Sequence, residues 1–510
     1  MADYGLIGFF VTLRLLMACL SQTWHVPDET WQSVEIAHRM VFGYGYETWE
    51  WTEGIRSYLH PLLFVPGLAW VQALNWDSTR MVILVPRLTQ GLVSVIGDLS
   101  FVATAQRLAS SSDKLQWMVF VYIGNWFVNY CSSRTLVNTL EMNLTSMALY
   151  FYAKVLEGRS FSRSTNWSYL ILISLSFQIR PTTAILWLPL VLHHCYRVRR
   201  RPWKFVSTMV LPAVLTLTLA MGIDSLVYGK WTNVPWNFFQ LNVLQDIGSF
   251  YGTHPWHWYI SQGLPATLTP FIILPFLWSL FQRRLEPLPA KLRPLGMAVT
   301  FALIVYSLLP HKEFRFILPL IPILILLIGE TRSSTRNPSF VRKAMPALYL
   351  LSNVLAVIVL SLLHQRGNMT VMSTVLADPR SVPSGSHVLF LMPCHGTPWQ
   401  SHLHRSDLEL RFLTCDPPLK REPTDAFHPY VDEADEFFRD PKKWLEREIF
   451  HSENASTPIP SHLVFFKGLW PEVKALLDKK SFKPCGSFFH SLYFDDSVKI
   501  NEVWIFCQGE

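Results

Sequence analysis

The stretch HVPDETWQSVEIAHRMVFGYGYETWEW, His25 to Trp51, gathers Asp28, Glu29, Glu35, Glu47 and Glu50 with His25, His38, Trp31, Trp49 and Trp51. It directly follows an apolar segment. A carboxylate beside a bilayer is costly unless it meets water or does chemistry, and Asp28 and Glu29 follow Pro27 where that first apolar run ends. Two readings fit: a solvated interfacial loop with an aromatic belt, or a reaction site in which a carboxylate acts as a base. Further polar clusters favour the second. They are IRSYLHP (Ile55 to Pro61) with Arg56, DSLVYGKWTNVPWNFFQLNV (Asp224 to Val243) with Lys230, FYGTHPWHWYISQGLP (Phe250 to Pro265) with His254, Trp256 and His257, and HKEFRF (His311 to Phe316) with Lys312 and Arg315. Basic groups can hold an anionic phosphate, and tryptophan faces such as those of Trp49 and Trp256 suit sugar rings or a lipid. His254 and His257 stand at i and i+3, but Pro255 intervenes and no carboxylate accompanies them, so no metal is expected. In SRTLVNTLE, Arg134, Asn138 and Glu141 recur at helical spacing, as a polar network near a site or as a structural clasp.

The elements that must position these residues are membrane spans. Of 510 residues 50% are hydrophobic and only 16% charged, and the apolar residues fall in long runs: Gly5 to Leu20, Leu62 to Leu74, Phe205 to Met221, Ala266 to Phe281, Leu295 to Pro310, Phe316 to Gly329 and Ala347 to Leu363. A soluble core could not cover them all. The first run contains Arg14 and leads to no small-residue cleavage site, so it reads as an uncleaved span. The net charge of +7 is concentrated in clusters beside apolar runs, YRVRRRPWK, QRRLEPLPAKLR and TRSSTRNPSFVRK, which read as cytoplasmic loops. Alternation then places loops 22–58 and 229–265, HKEFR and everything after residue 363 on the opposite, lumenal face. That parity needs seven crossings before the 229–265 loop, against eight apolar candidates. Reading Ser168 to Tyr196 as one crossing kinked at Arg180 and Pro181 restores it, with Leu115 to Cys131 and Thr139 to Lys154 as a second suspect. The total is about eleven spans of ~20 residues each.

Residues 1–363 thus form a multispanning domain and 364–510 a soluble one. In the latter, short apolar runs such as HVLFLMPCH, LELRFLTC, HLVFFKG and NEVWIFC alternate with turn residues, and YVDEADEFFRDPKKWLEREIF has helical spacing with alternating charge. A small mixed α/β module is predicted. Its cysteines, Cys394, Cys415, Cys485 and Cys507, are even in number, which on an oxidising face permits two disulfides in any of three pairings, with free thiols as the alternative. Sequons occur at Asn143, Asn166, Asn368 and Asn454; Asn454 and Asn368 are best placed to carry a glycan.

VPDETWQSVEIAHRMVFGYGYETWEWTEGIRSYLHP, SRTLVNTLE, FYGTHPWHWYISQGLP and HKEFRFILPLIP resemble the motifs of eukaryotic mannosyltransferases that use dolichyl phosphate mannose in the endoplasmic reticulum. The tail segments LFLMPCHGTPWQSHLH, LRFLTCDPP and YVDEADEFFRDPKKWLERE are similar to the branch that adds the third mannose to the glycosylphosphatidylinositol (GPI) precursor. Many family members read His-Pro-Asp-Glu where this chain has Val26-Pro27-Asp28-Glu29, a departure shared with that branch. The resemblance implies an all-α polytopic membrane protein of GT-C type with a small C-terminal lumenal α/β domain, multi-pass in the endoplasmic reticulum membrane. It implies inverting α-1,2 mannosyl transfer at the lumenal surface, from the lipid donor dolichyl phosphate mannose to the GPI precursor glycolipid, with no other cofactor and no nucleic acid. Asp28 takes the role of base, with Glu29 its local rival. Arg315, Lys312 and His311 are candidates for the donor phosphate, although they could equally anchor a span end by snorkelling; Trp49, Arg56, Lys230, His254, Trp256 and His257 are candidates for substrate contact.

An enzyme of the lipid-linked N-glycan precursor would share the spans and Asp28 but use another acceptor, and the tail argues against it. A transporter or scaffold should show inverted repeats. No such symmetry is visible in the sequence.

Overall fold

The computed structural model describes residues 4–158, 162–281, 287–332, 340–419, 430–450, 458–492 and 501–509. The chain divides into two compact units: Met1–Ser21 with Glu50–Phe64 and Pro86–Ile358, and Gln22–Trp49 with Val65–Val85 and Val359–Glu510.

The first unit is helical. Among the described residues, five helices are long and apolar enough to cross a membrane, Thr79–Leu108, Pro202–Tyr228, Ala290–Leu308, Phe314–Thr331 and Ala344–Leu362, and a sixth span is possible if the bent pair Tyr259–Leu268 and Pro270–Trp278 counts as one. The reading of about eleven crossings also counted shorter apolar runs such as the helix Tyr4–Leu20.

Arg14 lies in that first helix and is buried, where an isolated guanidinium would be prohibitive. Asp98 receives it through two hydrogen bonds of 2.7 and 2.9 Å, and Arg14 Nη1 donates to Asn129 at 2.7 Å. The Tyr122 hydroxyl adds a 2.8 Å bond to the same carboxylate. A bidentate pair completed by two neutral partners is the arrangement that makes a buried charge tolerable.

The segment Ser168 to Tyr196 corrects the sequence reading. It is two helices, Arg163–Ile179 and Thr183–Val198, and the Tyr169 hydroxyl near the start of the first meets His194 Nδ1 near the end of the second at 2.7 Å. That contact requires the chain to reverse at Arg180 and Pro181, so the segment is a helical hairpin and not a single kinked crossing. Proline ends a helix but does not dictate where the chain goes next.

In the second unit a five-stranded mixed sheet runs in the order β2-β1-β3-β5-β4, with β1 His387–Leu391, β2 Glu409–Phe412, β3 His462–Phe466, β4 Phe482–Phe489 and β5 Glu502–Gln508. β1 pairs in parallel with β2 and β3, and β5 pairs antiparallel with β3 and β4. The predicted α/β module is therefore present. The period of two divides the side chains cleanly: Val388, Phe390, Val464 and Phe466 enter one core, and Leu389, Leu391, Leu463 and Phe465 the other. The second core is closed by the module's own helices through Phe437, Trp444, Val473 and Leu477. Part of the cover of the first comes from far upstream, because Trp24 and Trp31 pack there with Met369, Met372 and Trp399. Disulfides join Cys394 to Cys415 and Cys485 to Cys507.

Candidate active site

Asp28 opens a helix that runs to Phe42 through a wider π-helical stretch, Thr30–Val34. The carbonyls of Val26 and Pro27 accept the first amides, from Glu29, Thr30 and Trp31, each at 3.1 Å. Asp28 is half-buried, whereas Glu29 is only 2% exposed. A base must be reachable by its substrate, so the difference separates the two neighbours.

The same helix carries three polar contacts at i, i+4 and i+7, hence on one face. The Trp31 indole donates to the Thr397 carbonyl at 2.9 Å. Glu35, fully buried, accepts the Ser401 amide at 2.8 Å on one oxygen and the Tyr46 amide at 3.1 Å on the other. His38 Nε2 and His404 Nδ1 share a 2.9 Å hydrogen bond, and His38 Nδ1 meets the Tyr44 carbonyl at 3.0 Å. His395 rests on Trp31 with ring centres 4.4 Å apart. Burial pushes the Glu35 carboxyl up to about 6 against the pull of the Ser401 and Tyr46 amides. Burial pushes His395 down to about 4, opposed by the charge of Asp28, and it pushes His38 down to about 3 with help from His404.

The HKEFR segment lies in the first unit. Arg315 Nε donates to Glu313 at 2.6 Å, and its Nη2 reaches the other oxygen of the same carboxylate. His311 Nε2 meets Glu313 at 3.1 Å and His311 Nδ1 meets the Gly252 carbonyl at 2.9 Å. Lys312 Nζ donates to the His254 carbonyl at 2.9 Å and to that of Leu309. Burial alone would raise the Glu313 carboxyl, but Arg315 and His311 hold it well below the usual carboxylate range. Burial would lower His311, yet its bonds to Glu313 and Gly252 raise it. Beside this cluster Arg180 pairs with Glu141 at 2.8 Å, Asn138 donates to the Arg315 carbonyl at 3.1 Å, and the guanidinium groups of Arg180 and Arg315 both lie near the Phe316 ring.

Arg56 pairs with Glu50 at 3.2 Å, and Lys230 Nζ donates to the Thr52 carbonyl at 3.4 Å. The Arg56 loop is shaped by Asp224, which accepts from Ser57 Oγ, the Tyr58 amide and Gln178 at 2.7–3.0 Å. His254 stacks on Trp258, His257 Nδ1 meets Ser261 Oγ at 3.2 Å, and Trp256 is exposed. Trp49, in the second unit, is half-buried.

The structure thus gathers His311, Lys312 and Arg315 with His254 in one unit, and Asp28 and Glu29 with Trp31 and His395 in the other. Glu35, His395 and Glu313 carry polar contacts to which the sequence assigned no role; only the acid set between Lys312 and Arg315 gave a local signal. Asn368, one of the sequons, is 4% exposed, and its amide nitrogen donates to the Gly396 carbonyl at 2.6 Å. Asn454 lies outside the described residues.

Apolar helices long enough to span a bilayer and a small α/β module toward the C-terminal end make the chain a multi-pass membrane protein. In fold the chain is similar to ArnT from Cupriavidus metallidurans bound to undecaprenyl phosphate, with a TM-score of 0.59 and 12% identity covering 100% of this chain and 99% of that one. The chain belongs to the Alg9-like mannosyltransferase family, whose profile matches residues 6–404, and it is a mannosyltransferase. It is 41% identical over 489 residues to GPI alpha-1,2-mannosyltransferase 3 of Mus musculus, covering 95% of this chain and 86% of the relative. The protein of the same name from Homo sapiens is 40% identical over 488 residues, covering 95% and 84%. GPI mannosyltransferase 3 of Yarrowia lipolytica is 34% identical, covering 99% and 97%.

Proposed function

We propose that this enzyme transfers the third mannose, in α-1,2 linkage and with inversion, from dolichyl phosphate mannose to the dimannosyl GPI-anchor precursor at the lumenal surface of the endoplasmic reticulum membrane. The observation that carries the reading is identity near 40% over some 95% of the chain to proteins named for that linkage and pathway. Asp28 takes the proton of the acceptor 2-hydroxyl as its oxygen bonds to mannose C1 and the C1–O bond to phosphate breaks. The donor's β linkage becomes α in one displacement. Dolichyl phosphate leaves with one more negative charge, which Arg315, Lys312 and His311 offset. Trp256, His257, His254, Arg56, Lys230 and Trp49 are assigned to substrate contact, and no cofactor beyond the lipid donor is required.

The test supplies membranes containing the enzyme with dolichyl phosphate mannose and synthetic GPI acceptors bearing two or three mannoses, followed by linkage analysis. An α-1,2 product from the dimannosyl acceptor alone is expected. Transfer to the trimannosyl acceptor, or a different linkage, would overturn the reading.

A further inference from the structure

Trp31, Glu35 and His38 form one stripe on the helix that Asp28 opens, and all three bind a single stretch of the C-terminal module, Thr397 to His404. The segment is fixed at one end by the Cys394–Cys415 disulfide and His395, which rests on Trp31. At its other end the Tyr44 hydroxyl and Asp77 both reach His404, at 3.1 and 3.6 Å. Of the three contacts only Glu35 binds two separate backbone amides, from Ser401 and from Tyr46, and so ties both flanks of its helix.

We propose that this stripe is a latch by which the C-terminal module aims the Asp28 carboxylate, with Glu35 as its positioning residue. The proposal rests on the reading of Asp28 as the base. Glu35 lies seven residues, about two helical turns or 10 Å, from Asp28 along the same helix, so it acts through the helix and not on the substrate. A small rotation of a helix moves its first side chain, and a misplacement of about 1 Å costs up to ~100-fold in rate.

The test compares full-length Glu35→Gln and Glu35→Asp enzymes in membranes, with kcat and the KM for dolichyl phosphate mannose measured separately. Glutamine keeps the size but offers one acceptor and turns an NH2 toward the second amide; aspartate keeps both acceptor oxygens. The expected result is a fall in kcat of about 10- to 100-fold for Glu35→Gln with KM unchanged, largely restored in Glu35→Asp. Wild-type kcat in Glu35→Gln overturns the latch, as do equal losses of activity and folded protein in both variants. Turnover in Asp28→Asn would instead remove the reading of the base, whatever Glu35 does.

Discussion

Arg315 grips Glu313, two positions before it, through both oxygens of the carboxylate, while His311 shares one of those oxygens. A fork held this way presents its guanidinium in one orientation, which lysine, a single flexible point charge, cannot reproduce. Arg315→Ala should therefore lower kcat and raise the KM for the donor, by roughly 10-fold or more in kcat/KM. Arg315→Lys should recover only part. An unchanged dependence of rate on donor concentration in the alanine variant would leave Arg315 as an anchor of its span end.

Asp28 and Glu29 can be separated by isosteric amides. Asp28→Asn should abolish transfer, a fall of about 100-fold or more, with insertion and abundance intact. Glu29→Gln should stay within a few-fold in rate. The reverse order would transfer the role to Glu29.

The buried pair in the first helix predicts a defect in stability and not in chemistry. Asp98→Ala leaves Arg14 without its carboxylate and should cost about 3–5 kcal/mol, seen as a lower melting temperature of the detergent-solubilised enzyme. A melting temperature within a degree of wild type would mean that Asn129 and Tyr122 suffice to hold the guanidinium.

Acid should loosen the second unit through His38. Its folded pKa lies near 3, below the ordinary value of 6.5, so the unfolded chain binds more protons between those limits and stability falls as pH falls. The stability is fully present above pH 6.5 and drops by about 2 kcal/mol by pH 5 for this one group. Glu35 works in the opposite direction between its ordinary value of 4.5 and about 6, since its raised pKa makes the folded state bind the extra proton. His38→Gln should flatten the acid limb of melting temperature against pH, and an unchanged limb would place the acid sensitivity elsewhere.

Orientation can be read by chemistry at two exposed positions, Arg200 and Ser384. In sealed microsomes an impermeant maleimide should label a cysteine replacing Arg200 but not one replacing Ser384 until the membrane is opened. Labelling of the second in sealed vesicles would put the C-terminal module in the cytosol.

The strands of the module were legible because HVLFL and HLVFF are apolar enough to be buried on both faces and are bounded by turn residues. The helical bundle was legible from its apolar runs. The hairpin at Arg180 and Pro181 was not, because a breaker marks an end without setting a direction; the Tyr169–His194 contact that sets it joins two ordinary helical positions. Glu35 was equally opaque. A buried acid in a wet-looking loop reads like a solvated one until its partner is known, and the partner Ser401 is 366 positions away.

That separation also orders events during synthesis. At about 5–20 residues per second, some tens of seconds pass between the emergence of Glu35 and that of Ser401, and Trp31 waits as long for the core it completes. Chains that stop before the tail should therefore be recognised by quality control as unfinished at their amino-terminal end, and alleles that truncate only the last domain should behave as losses of the whole enzyme.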